Sequence, residues 1–201
     1  MNSRETILLA TLELASEKGL GNISLSQIAE RVGIQKPSLY SHFSSKEELI
    51  ESLYGYLREQ AKRANGLEDG DYGAMAAGRS AREVLREAVE NYLKLTTDRR
   101  MMQFYRFILS ERAVNREAAK IMVVETERML LATKRLFYAM QVHHVMDFED
   151  ADTAATAFAM AVHSLLDYQL DKTFAEGACA TDLLENFLDG FCAAYQRRDS
   201  R

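Results

Sequence analysis

Residues 23–49 read ISLSQIAERVGIQKPSLYSHFSSKEEL, and this stretch decides the fold. Ser24 is a helix-capping residue, and Leu25, Ile28, Ala29 and Val32 then fall on one face of a helix that Gly33 ends. Pro37 suits the first turn of a second helix, where its missing N–H is not needed, and Leu39 and Phe43 give that helix an apolar edge. The second helix is expected to run for about two turns. Ala29 is small where two helices crossing steeply must touch, which lets the pair dock through a short turn as a helix-turn-helix does. What remains on the second helix is Gln35, Lys36, Ser38, Tyr40, Ser41 and His42, a surface of hydrogen-bonding types.

Working outward, Ile7, Leu8, Leu12, Leu14 and Ala15 recur at helical spacing between Ser3 and Lys18, and Gly19 and Gly21 close that segment. It completes a three-helix unit. Downstream, Ser44 and Ser45, each followed three residues later by a glutamate, open a connecting helix from about Ser45 to Ala64. Four glycines and several acids between Asn65 and Arg79 predict a loop. Further helices are expected over Ala81–Thr97, from Arg99, capped by Asp98, to Glu111, from Asn115 to about Val142, from Asp150 to Phe174 and from Thr181 to about Arg197. The Arg99–Glu111 segment is apolar on nearly every side, which predicts a central helix in its domain. The expected fold class is therefore all-α: an N-terminal three-helix helix-turn-helix domain over residues 1–45, then a larger helical domain over 46–201 that includes the connecting helix.

Composition narrows the function. One proline, ten glycines and 47% hydrophobic residues in 201 suit a packed helical protein, and no apolar run is long enough to span a bilayer. Arg4 and Glu5 inside a helical pattern replace a signal-peptide core, so a cytoplasmic location without membrane association is expected. Cys179 and Cys192 have no metal-ligand spacing, and adjacent His143 and His144 point about 100° apart on a helix. Neither metal nor cofactor is expected. No nucleophile elbow, phosphate-binding glycine loop or His-Glu-x-x-His motif is present, which argues against an enzyme.

The net charge of −5 argues against a generic nucleic-acid binder, and the first fifty residues carry five basic and six acidic groups. Placement leaves a small positive footprint, with Arg31, Lys36 and Lys46 bracketing the second helix.

The segment from Gly33 to Leu49 resembles the signature of the TetR family of bacterial transcriptional repressors, and so does the layout of an N-terminal helix-turn-helix before a longer helical region. Gln35 departs from the pattern, standing where the family commonly has Ser or Thr as a cap. The resemblance implies a homodimer on a pseudo-palindromic double-stranded operator, released when a small-molecule effector binds the larger domain. Expected DNA contacts are Ser24, Ser26, Gln35, Lys36, Pro37, Ser38, Tyr40, His42 and Lys46. Gln35, Lys36 and Ser38 lead the second helix toward base edges, with phosphate contact an equal reading for Lys36. Tyr40 and His42 resemble the family's phosphate contacts, and Lys46 adds a cation to a helix N-terminus.

For an apolar or aromatic effector the candidates are Met102, Tyr105, Phe107, Met129 and Phe137, against the plainer reading of each as core. His163 and Asp167, four apart, either face a ligand or form a simple surface pair. Two wide apolar stripes, Phe158, Val162 and Leu165, and Leu184, Phe187, Leu188, Phe191 and Tyr195, are candidates for a four-helix dimer interface. A helical adaptor that binds protein instead of DNA is the rival function.

Overall fold

A computed structural model of the chain describes residues 3–64, 71–97, 99–177 and 182–195. Among these residues there are helices and no strands: α1 (Ser3–Lys18), a 3-10 turn (Leu20–Asn22), α2 (Leu25–Val32), α3 (Lys36–Tyr40), α4 (Lys46–Ala64), α5 (Tyr72–Ala76), α6 (Ala81–Thr97), α7 (Arg99–Glu111), α8 (Arg116–Val142), α9 (Ala151–Glu176) and α10 (Leu183–Ala194). The all-α expectation holds. Three details differ from it: α3 is only five residues long, α5 occupies part of the expected loop, and α10 ends at Ala194. Asp98, Cys179 and Thr181 fall outside the described residues.

The chain divides into two compact units, Met1–Asn65 with Lys94–Glu125, and Gly66–Leu93 with Thr126–Arg201. Contacts do not divide the chain at the expected boundary of residues 45/46, because α4 and α7 pack with α1 in the first unit. There Ile7, Leu12, Leu14, Ile28, Leu39, Phe43, Leu49, Leu53, Phe107 and Ile108 form one core. The helix expected to be central, α7, thus has its buried edge in the core of the first unit.

Local chemistry sets the ends of these elements. The Ser24 hydroxyl accepts from the Gln27 amide at 3.3 Å while the Ser24 amide donates to Gln27 Oε1 at 2.8 Å, a reciprocal capping box at the start of α2. Gly33 (φ 76°) takes the left-handed conformation, its amide donating to Glu30 and that of Ile34 to Ala29, which satisfies the last carbonyls of α2 and turns the chain into α3. At α4, the Glu48 amide donates to Ser45 Oγ, while the Glu48 carboxylate accepts from the Ser44 amide and hydroxyl. Those bonds hold the Glu48 carboxyl below its usual range.

The second unit is organised around Phe137, stacked on Phe148 at 4.7 Å and flanked by Phe158 and Phe191. Arg82 on α6 binds Glu185 at 2.7 Å and Asp189, both on α10, and Arg86 joins Glu185 at 2.6 Å. These pairs are solvent-accessible, so their value is mainly in fixing the register of α6 on α10.

Candidate nucleic-acid interface

The reading head is built by a division of labour along a few residues. Leu39 and Phe43 are fully buried, and this drives α3 onto α1, α2 and α4. Gln35, Lys36, Pro37, Ser38, Tyr40 and Ser41 are left exposed together. Gln35 makes no side-chain cap bond; its carbonyl accepts from the Ser38 amide, and its amide side chain extends from the start of α3. Pro37 in the first turn offsets the weaker cap by fixing φ without losing an intrahelical donor. Tyr40 keeps 45% of its surface exposed, unusual for an aromatic side chain in a small domain, and Lys36 Nζ lies 6.0 Å from its ring centroid. Ser24 and Ser26 are exposed at the start of α2, and His42 is half-buried beyond α3.

The expected positive footprint is smaller than the sequence suggested. Arg31 is drawn to Glu13 at 3.0 Å and Glu17 at 3.3 Å on α1, bonds that raise its pKa. Lys46 is half-buried, its ammonium donating to the carbonyls of Ile23 at 2.6 Å and Leu20 at 3.2 Å. Arg4 donates to the His42 carbonyl and to Ser52 Oγ, each at 3.0 Å, and its guanidinium lies 4.4 Å from the Phe43 ring centroid. Lys36 is the cation that α3 itself presents. The arrangement offers one ammonium, a phenol, hydroxyls and the backbone donors of two helix N-termini, which suits a few placed contacts to a polyanion better than a broad basic patch.

The effector candidates divide between the two units. Met102, Tyr105 and Phe107 belong to the first unit, with Met102 and Tyr105 half-buried and Phe107 fully buried against Tyr54 at 5.6 Å. Burial, reinforced by Glu125, pushes the Tyr105 phenol up to about 12. Met129, Phe137, His163 and Asp167 belong to the second unit, where Phe137 is the centre of the aromatic core. His163 Nδ1 is 2.9 Å from the Tyr92 hydroxyl, and its Nε2 is 3.5 Å from Asp167, so the expected pair is a half-buried trio that includes Tyr92. Sequence reasoning missed Tyr92, whose partner is 71 positions away.

Tyr54 on α4 lies on that helix's buried edge, as its spacing predicts, but the state of its hydroxyl was not legible. Its hydroxyl is buried with no hydrogen-bond partner among the described residues, and burial, with Glu111 nearby, pushes its pKa up. An amphipathic pattern marks that position only as apolar. An open groove of about 540 Å³ lies elsewhere, lined by Lys134, Asp152, Thr153, Thr156, Ala157 and Met160, none of them an effector candidate.

The dimer candidates require a correction. Phe158, Val162, Leu188 and Phe191 are buried in the core of their own unit and cannot present a face to a partner. Leu165, Leu184, Phe187 and Tyr195 are half-buried. The stripe that carries Phe158 and Val162 is the inward one, and α9 has a second, uncharged face. Residues 153–166 contain no Asp, Glu, Lys or Arg, and Thr153, Ala157, Met160 and Ser164 are exposed on the side opposite Phe158 and Val162.

Among the described residues no helix is long and apolar enough to cross a membrane, and no group of His, Cys, Asp or Glu could hold a metal. Cys192 is a half-buried free thiol whose pKa is raised by that burial.

Residues 7–53 match the family model described as bacterial regulatory proteins, tetR family. The tetracycline repressor protein class G of Vibrio anguillarum is 37% identical over 68 residues, covering 33% of this chain and 32% of that protein. The HTH-type transcriptional activator FasR of Mycolicibacterium smegmatis is 35% identical over 89 residues, 44% of this chain and 38% of that one. The chain thus spans about a third of the length of the curated relatives it matches. A structure of a putative transcriptional regulator from Saccharomonospora viridis in complex with choline superposes with a TM-score of 0.69 at 22% identity, covering 98% of each chain.

Proposed function

We propose that the chain is a DNA-binding transcriptional regulator of the tetR family acting as a ligand-responsive repressor, a reading supported by the family match over residues 7–53 and by the curated relatives. The observation that carries the reading is the exposed face of α3, where Gln35, Lys36, Ser38 and Tyr40 stand clear of a fully buried Leu39–Phe43 edge. In this reading α3 enters the major groove, Gln35, Lys36 and Ser38 reach base edges, and Tyr40, His42 and the first turns of α2 and α4 hold phosphates. Two copies bind a pseudo-palindromic operator in the cytoplasm, their heads spaced to reach successive major grooves.

Dimerisation draws support from α9. The uncharged outer face at Thr153, Ala157, Met160 and Ser164, small side chains around one methionine, suits close packing against a second copy. Leu184 and Phe187 of α10 extend the same reading. An apolar or aromatic effector then shifts the dimer toward a spacing that no longer fits the operator; the half-buried Tyr105 and the trio Tyr92–His163–Asp167 are the polar points for it to engage.

The experiment is selection of duplexes from a random pool by the full-length chain, followed by binding at several salt concentrations. Enrichment of a two-fold symmetric sequence with salt-sensitive affinity supports the reading. A helical adaptor for another protein, consistent with the acidic balance, would enrich nothing.

A further inference from the structure

Lys46 begins α4, and its side chain turns back into the reading head. The ammonium spends two of its three N–H donors on the carbonyls of Leu20 and Ile23. Leu20 lies in the 3-10 turn after α1, and Ile23 immediately precedes Ser24, the cap of α2. One cation therefore ties the first turn of α4 to the entry of α2. Capping engages the Gln27 and Glu48 amides, and the earlier first-turn amides of a helix have no intrahelical acceptor, so the separation of the two ends governs whether two phosphates can be held at once.

We propose that Lys46 is a positioning residue: it fixes the spacing of the α2 and α4 N-termini and acts through those two bonds, not through a direct contact to DNA phosphate. With two of its three N–H donors on carbonyls, one at 2.6 Å, the partly buried ammonium is held inward, and turning it outward would leave both carbonyls short of a donor. Arg4 has a parallel position at the other end of the motif, bound to the His42 carbonyl just beyond α3. The functional half of this proposal rests on the DNA-binding reading.

The test compares wild type, Lys46→Met and, as a control destabilised in the same unit, Leu8→Ala. Each is titrated with a duplex that the wild type selects from a random pool, across a salt series at a temperature where all three are folded. Amide exchange of residues 20–28 is followed in parallel. We expect Lys46→Met to bind about tenfold more weakly with an unchanged slope of log K against log salt and faster exchange at residues 20–24. Leu8→Ala should bind within about twofold of wild type. A slope shallower by about 0.9, the value of one phosphate contact, overturns the proposal whether or not exchange changes. So does unchanged affinity.

If Lys46→Met does not fold, the Lys46 ammonium resonance of the wild type decides: it should be visible in the free protein and stay in place when duplex is added, and a shift on binding overturns the proposal. If the wild type binds no duplex, the DNA-binding reading itself falls, and amide exchange in Lys46→Met still tests the tie, with unchanged exchange at residues 20–24 refuting it.

Discussion

The α2–α3 motif and α9 are both rich in apolar residues, yet one yielded its geometry to inspection and the other misled. In the motif every apolar side chain has a single inward direction, because caps at Ser24 and Gly33 fix where each helix starts and stops and polar residues fill the other face. In α9 the run from Thr153 to Leu166 lacks charge on any side, so periodicity gives no contrast between core and exterior. An amphipathic pattern reports a core only where water is the alternative. Where a second copy covers the outer face, as proposed for α9, neither face is marked by charge.

The largest effect that would sharpen this contrast is in the motif. Phe43→Ala removes a fully buried ring from the core of the first unit and should cost about 3–5 kcal/mol in denaturant unfolding. A loss under about 1 kcal/mol would mean that the buried edge does not hold α3.

Met160→Glu probes the outer face of α9. Met160 is 40% exposed in the single chain, so the charge should leave the subunit folded while weakening self-association at least a hundredfold, about 2.7 kcal/mol, in sedimentation equilibrium. If the wild type is already monomeric at micromolar concentration, or the variant associates equally well, the dimer reading of α9 fails.

Within the motif, Lys36→Ala and Tyr40→Ala separate reading from holding. Lys36→Ala should change preference among operator variants by about 1–3 kcal/mol, whereas Tyr40→Ala weakens binding to all of them alike. Equal losses on every variant for Lys36→Ala would make it a phosphate contact.

The smallest effect concerns Tyr54. Because its buried hydroxyl has no partner among the described residues, Tyr54→Phe should be neutral or stabilising by about 1 kcal/mol. Destabilisation beyond about 1 kcal/mol in thermal unfolding would show that the hydroxyl is bonded in solution.

These contrasts also mark how far the sequence could be read. Helix starts followed from capping residues such as Ser24 and from the Ser45–Glu48 pair, both of which form their caps. The short α5 was hidden because its five residues, Tyr72–Ala76, offer too few turns for a period. In the site, Gln35, Lys36, Ser38 and Tyr40 were legible as polar residues opposite Leu39 and Phe43. The charges were not: Arg31 and Lys46 count as cations in any tally, but Glu13, Glu17 and two carbonyls engage them across 14 to 26 positions of sequence. Long-range partners of this kind, like Tyr92 for His163, leave no periodic trace.

The central claim is that the exposed face of α3 reads DNA in a dimer. It is tested most directly by presenting the full-length chain with a random pool of duplexes and measuring binding to the enriched sequence against salt. The account predicts a two-fold symmetric sequence whose half-site centres lie about 10 base pairs or a multiple apart, with affinity falling as salt rises and lost in Tyr40→Ala. Failure to enrich any sequence, or binding indifferent both to salt and to Tyr40, would contradict it.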